Sequence, residues 1–140
     1  MRPPSIVNFT RGVLISLAVG LLASWLSWDK VESSVAATGS GVGRGTILAI
    51  QAVTIALYLL VVWFISAHGS PVAKWVYVVI SGLGLVMGLI GFGQTLAYGT
   101  LPAILAVIQY ILIIISLWLL FRPDAKAWFS EGRADPGTVR

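Results

Sequence analysis

The sequence predicts an all-α integral membrane protein with four transmembrane helices in an up-down bundle and both termini on the cytoplasmic side. Three observations predict it. Of the 140 residues, 58% are hydrophobic and only 10% charged, whereas soluble domains are about half apolar and a quarter charged. The apolar residues gather into uncharged runs at Gly12–Trp28, Thr46–Ser66, Trp75–Ala97 and Ala103–Phe121. The cations between those runs are divided very unequally.

At 1.5 Å per helical residue the four runs reach about 25, 31, 34 and 28 Å, close to a hydrocarbon core of ~30 Å. Lipid supplies no hydrogen-bond partners, so runs of this length must be helices that satisfy their own amides. The first run is the shortest. Phe9 and Arg11 extend it, the arginine reaching back to the headgroups. A signal peptide is the competing reading of this run. It is longer than the usual ~7–15 apolar residues, ends in Trp25 and Trp28, and has no small-residue cleavage site beside it, so an uncleaved anchor is expected.

With four spans, Arg2, Arg11, Lys74, Arg122, Lys126, Arg133 and Arg140 share one side, and Lys30 and Arg44 the other; seven cations against two place the termini in the cytoplasm. Aromatic residues give the same layout: Trp63, Trp75, Trp118 and Phe121 at the inner interface, Trp25, Trp28 and Tyr98 at the outer one.

The connections are short except for Asp29–Gly45, which reads as a flexible outer tether. Its "GSGVGRGT" is not a phosphate-binding loop, because it lacks the lysine spacing and the preceding strand. In "HGSPVAKW", Ser70 caps the third span and Pro71 lies in its first turn. Thr100 and Pro102 play the same part for the fourth. The chain thus divides into a transmembrane domain, residues 1–121, and a cytoplasmic tail, residues 122–140. Trp128 and Phe129 in that tail read as a short amphipathic anchor lying at the interface, and the composition after Gly132 is that of a disordered end.

Helices in a bilayer associate through close van der Waals contact, which small residues permit. Ser81, Gly84, Gly88, Gly91 and Thr95 recur at steps of three and four, and so share one face of the third span. Gly12, Ser16, Gly20, Ser24 and Ser27 form a second stripe on the first span. A parallel first-to-third contact is therefore expected, with the third helix central and the glycine-free, isoleucine-rich fourth facing mostly lipid. A hinge or solute path is the functional alternative to packing for these glycines.

Gln51, Gln94 and Gln109 convert to a shared layer within about 5–12 Å of the outer end of the spans. Such amides commonly bond across helices, worth about 0.6 kcal/mol on average; the alternative is a wetted vestibule for a polar solute or a lipid headgroup.

Chemistry is narrowly bounded. No ionisable residue lies inside any of the four runs, whereas intramembrane proton relays need one at depth. Small four-helix multidrug exporters carry an acidic residue in the first helix, and this chain has none there. There is no cysteine, which removes disulfides and thiolate chemistry. His68 stands alone, and Asp29 with Glu32 lies in the outer loop, so neither a metal site nor fixed acid–base geometry is expected. No enzymatic activity, no cofactor and no nucleic-acid partner are expected.

The stretches "PPSIVNF", "SLAVGLLASWLSW", "HGSPVAKWVYVV", "AVIQYILIIISLWLLF" and "LFRPDAKAWF" together resemble a family of small bacterial four-helix inner-membrane proteins. That family often has a more basic second connection than "AHGSPVAKW". The resemblance implies a multi-pass protein of the bacterial inner membrane with a cytoplasmic tail, and carries no activity or functional residue. The expected role is accessory, scaffold or protective subunit, with a homo-oligomer or another membrane protein as partner besides the lipid bilayer. The alternatives are a small facilitator for an uncharged or weakly polar solute and an immunity-type protein against a membrane-active toxin.

Overall fold

The computed structural model describes residues 2–131, the last of them by backbone alone. The expectations for Arg133, Arg140 and the end after Gly132 lie outside these residues. Every described element is a helix: α1 (Pro4–Leu26), α2 (Trp28–Ala37), α3 (Arg44–His68), α4 (Pro71–Ile90), α5 (Phe92–Tyr98), α6 (Thr100–Leu119) and α7 (Pro123–Glu131). Four of them, α1, α3, α4 and α6, are long and apolar enough to cross a membrane.

α1 begins eight residues before the uncharged run does, because Pro4 at its first position has a backbone angle already suited to a helix and Arg11 stays exposed on its outer face. α3 ends at Gly69, whose left-handed φ of 58° lets its amide donate back to Ile65 O at 3.2 Å. α4 starts as the sequence predicts, with the Ser70 side chain accepting from the Ala73 amide and Pro71 in the first turn. The third span is not one helix. It breaks at Gly91, where the backbone (φ −81°, ψ 0°) closes α4 with a 2.9 Å bond to Met87 O and opens the short α5.

The outer tether expected at Asp29–Gly45 is a helix over most of its length. Trp28 Nε1 donates to Glu32 at 3.2 Å, and the Ser33 and Ser34 hydroxyls bond back to Lys30 O. Asp29 lies in the first turn of α2, where a negative charge suits the helix dipole. Only residues 38–43 stay irregular, with Gly39 and Gly41 at φ of 64° and 66°.

The closest helix pair corrects the expected first-to-third contact: α1 packs most extensively on α6, the first span against the fourth. The stripe on α1 does make the approach, with a different partner. A Cβ built at Gly12 would lie 3.0 Å from Ser116 Oγ, and one at Gly20 2.7 Å from Gln109 Nε2. The fourth span is therefore the main partner of the first along one face, with Pro102, Ala103, Ala106, Ser116 and Leu119 buried, while Ile104, Ile108, Ile111, Ile114 and Ile115 on its other faces stay exposed. The third helix is peripheral within the chain. A Cβ at Gly82, Gly84 or Gly93 would meet nothing within 4 Å, and only Gly88 receives a knob, Tyr110 of α6, whose hydroxyl would sit 2.6 Å from a Cβ there. Sequence periodicity marks which faces allow close approach; it does not say that aromatic and amide side chains of α6 fill them.

The apolar core lies at one end of the bundle. Ile6, Phe9 and Val13 of α1 meet Val62 and Ile65 of α3, Ala73 and Tyr77 of α4, and Leu119 of α6, with Leu120, Ala125 and Phe129 beneath them. Tyr77 stands edge-on to both Phe9 (5.0 Å between centroids) and Tyr58 (6.0 Å), a favoured aromatic geometry. This end carries the start of α1 and the α6–α7 turn.

Replacing Gly20 by isoleucine should split the α1–α6 seam, since overpacking commonly costs about 1–3 kcal/mol. In detergent, Gly20→Ile is expected to melt several degrees below wild type while Gly84→Ile melts with it; the reverse ranking would refute the assignment of partners.

Candidate functional site

Two regions of the molecule carry more than packing: the base, where α7 folds under the spans, and the outer half, where the spans part.

At the base, α7 leaves α6 through a turn at Leu120–Arg122 and is held by three contacts. Ser5 donates to Asp124 twice, from its amide at 3.1 Å and from its hydroxyl at 2.8 Å. Trp128 Nε1 donates to Ile65 O at 3.0 Å, a carbonyl in the last turn of α3 that also accepts the Gly69 amide. Ala125 and Phe129 enter the core, Phe129 with 6% of its surface exposed. The anchor residues Trp128 and Phe129 thus turn inward onto the bundle and do not lie flat at the interface, a correction with a clear cause: the apolar face of α7 finds the helix ends at hand, and the indole N–H shares the Ile65 carbonyl with the Gly69 amide. Gly69 makes room for this. A Cβ there would stand 2.8 Å from Trp128 O and would have to tolerate φ 58° as well.

The Ser5 hydroxyl, opposed by burial and helped by the Ser5 amide, holds the Asp124 carboxyl below its ordinary value. Around α7, Lys74 Nζ lies over the faces of Phe121 (4.3 Å) and Phe129 (5.0 Å), and Arg122 over Trp118 (5.1 Å).

In the outer half the picture is different. All buried residues of α3 (Val62, Ile65, Ser66) and of α4 (Ala73, Tyr77, Ser81) belong to the halves nearest the base. Beyond them the two helices bury nothing, and α5 buries nothing either. Polar contacts tie the far end. Lys30 Nζ donates to Tyr98 O, and Tyr98 Oη to Ser34 Oγ at 3.3 Å. A cavity of ≈ 340 Å³ at that end is lined by Trp25, Trp28, Asp29, Arg44 and Leu48, with Arg44 over the Trp28 ring at 5.2 Å.

Of the expected glutamine layer, two members meet. Gln51 Nε2 donates to Ser24 Oγ at 3.1 Å, joining α3 to the small-residue stripe of α1. Gln51 and Gln109 then line one open groove of ≈ 340 Å³ with Gly20 and Thr54. Gln94 stands apart, exposed on α5. Ser16 is buried in α1, and Ser81 is buried with no partner for its hydroxyl. Gly91 serves as the break between α4 and α5. Asp124, which the sequence reading passes over, and Lys126, which it counts only among the cations of one side, prove to matter at the base; "RPD" opening a helix was the available signal, since proline and an acidic residue favour a first turn. His68 stacks edge-on to Trp63 at 4.7 Å, and among the described residues no group of three metal-ligating side chains forms.

These features define a class: a multi-pass helical membrane protein with few polar groups in its spans, some of which join one helix to another. No family model matches the chain, and no curated protein or solved structure matches it.

The base clasp makes docking of α7 sensitive to acid. Because the carboxyl titrates lower when docked than free, where Asp sits near ~3.9, the clasp contributes in full above that free value and is lost as pH falls through the lowered one. Relative to the intrinsic rate at each pH, residues 123–131 should be protected from hydrogen exchange at neutral pH and lose that protection below the ordinary carboxylate range. Asp124→Asn should lack it at both; a variant as protected as wild type would show the clasp to be idle.

Proposed function

We propose that this chain is a non-enzymatic protein of a bacterial inner membrane, both termini cytoplasmic, which acts through helix contacts as an accessory, scaffold or protective subunit of a larger membrane assembly. One observation carries the reading: the bundle is sealed at its base, whereas toward the outer end α1 and α6 stay paired but α3 before Val62, α4 beyond Ser81 and all of α5 bury nothing. Within the chain only 6% of the second span's apolar window is buried, against 22% for the first and fourth. Gly82 and Gly84 on α4 and Gly93 on α5 offer bare backbone, where nothing among the described residues would come within 4 Å of a Cβ. Bare helix backbone is what another transmembrane helix requires for close contact. The same surface supports self-association as one form of the assembly. The charge division, seven cations against two, supports the cytoplasmic placement of the termini, and successive spans then alternate in direction as an up-down bundle.

A second reading, a facilitator for an uncharged or weakly polar solute, is favoured by the groove where Gln51, Thr54 and Gln109 converge. It requires flux through liposomes that Gln109→Leu abolishes.

The absence of native cysteine makes the first reading testable by single-cysteine scanning in whole membranes. Gly84→Cys and Met87→Cys should form crosslinks to a second membrane protein or a second copy, whereas Ile65→Cys in the sealed base should form none. Equal silence at all three positions would defeat the proposal.

A further inference from the structure

The base holds a pocket that the docking role does not use. Between the start of α4 and α7, a space of ≈ 190 Å³ is lined by Pro71, Lys74, Trp75, Lys126, Phe129 and Ser130. At ~30 Å³ per water it has room for about six waters, enough for a phosphate group and too little for a helix.

Its two charged linings have the same sign. Lys74 is fixed by the faces of Phe121 and Phe129, at 4.3 and 5.0 Å, which orient an ammonium without neutralising it. Lys126 is brought opposite by the docking of α7, and that docking is imposed by other residues: the Asp124 clasp, the Trp128 bond and the burial of Ala125 and Phe129. The acid nearest to Lys126 among the described residues of α7, Asp124, is committed to Ser5. Among the described residues no carboxylate lines the pocket. Among the described side chains the pocket therefore presents two cations and no anion, an arrangement that a bound anion would stabilise.

We propose that this pocket binds the phosphate of an anionic glycerophospholipid headgroup, held between the Lys74 and Lys126 ammonium groups with the Ser130 hydroxyl beside them. A headgroup fits better than a free anion because of the depth. The pocket opens at the end of an apolar helix long enough to span a membrane, beside the exposed Trp75, a side chain that favours the headgroup level, and the exposed Val72, Val76 and Val79 continue along α4 from that point. They offer an apolar track for the acyl chains of a lipid whose phosphate is in the pocket. Basic pockets between helix ends are a recurrent form of headgroup site. Since only the docked α7 brings Lys126 to Lys74, the lipid binds one state of α7 and stabilises it by mass action. α7 is then an element whose docking reports the charge of the surrounding leaflet.

The test uses the full chain in nanodiscs of phosphatidylcholine alone or with phosphatidylglycerol added, reading lipid retained in native mass spectrometry and hydrogen exchange over residues 123–131. Two lysines at a surface correspond to a preference of roughly thirtyfold for the anionic lipid, or ~2 kcal/mol. Lys126→Gln and Lys74→Gln should each lower it by roughly fivefold and speed exchange in α7, and Lys126, being exposed, can be changed without disturbing the core. Arg122→Gln removes a cation from the same end but outside the pocket and should leave the preference intact; an equal loss there would reduce the effect to general surface charge and overturn the site. Unchanged preference in both lysine variants would overturn it as well. So would inorganic phosphate protecting α7 in detergent as strongly as the lipid does, because the ligand would then be a soluble anion. The outcome is independent of the crosslinking test of the outer half.

Discussion

The approach of α1 to α6 is the constraint on which the rest of the molecule depends. In lipid, covering apolar surface gains little, and helices adhere only where backbones come close enough for dispersion to accumulate. Gly12 and Gly20 supply that closeness on one side, and Ser116 and Gln109 occupy it from the other. With α6 fixed against α1, the turn at its end must fall beside the beginning of the chain, which is how Ser5 and Asp124, 119 residues apart, come within hydrogen-bond reach. The docking of α7, the Trp128 bond to α3 and the pairing of Lys74 with Lys126 all follow from that placement.

Stability is therefore distributed unevenly along the membrane normal. At the base, aromatic rings, aliphatic side chains and two kinds of hydrogen bond converge from five helices. At the opposite end, the ties are a lysine to a carbonyl, one tyrosine hydroxyl and the Gln51–Ser24 pair. Such contacts between few partners mark the end that opens first, and the Gly91 break removes the stiffness that a continuous third span would have lent it.

The positions of the spans were legible because exclusion of charge from hydrocarbon is a strong, local signal: Arg44, Lys74 and Arg122 bracket helices α3, α4 and α6 almost to the residue. What failed was pairing. Gly84 and Gly88 have the same spacing credentials as Gly12 and Gly20, but pairing depends on the opposing knob: the polarity of Gln109 marks it as an interhelical residue without saying which helix it meets, and Tyr110 carries no such mark at all. The outer helix α2 was hidden by the glycines that follow it, although Asp29, Glu32 and the alanines at its end are ordinary helix residues. Half of the base was visible: Ser70 and Pro71 read correctly as the start of a helix that Lys74 and Trp75 continue. The other half was not. That Trp128 and Phe129 are the apolar face of a short helix was readable, but what that face meets depends on where α6 ends in space, a long-range fact with no local trace.

Pairing the first membrane helix with the last has a consequence for biosynthesis. Synthesis runs at about 5–20 residues per second, so roughly 4–15 s pass between the emergence of the end of α1 and that of the start of α6. For that interval the glycine face of α1 waits in the bilayer without its mate. The close-packed seam can form only after the final span has been released, and the clasp of α7 later still, so the nascent chain is held as loosely associated helices until nearly the whole polypeptide has been made. An insertion factor that shields α1 during this time would have to recognise the very surface that α6 later takes over.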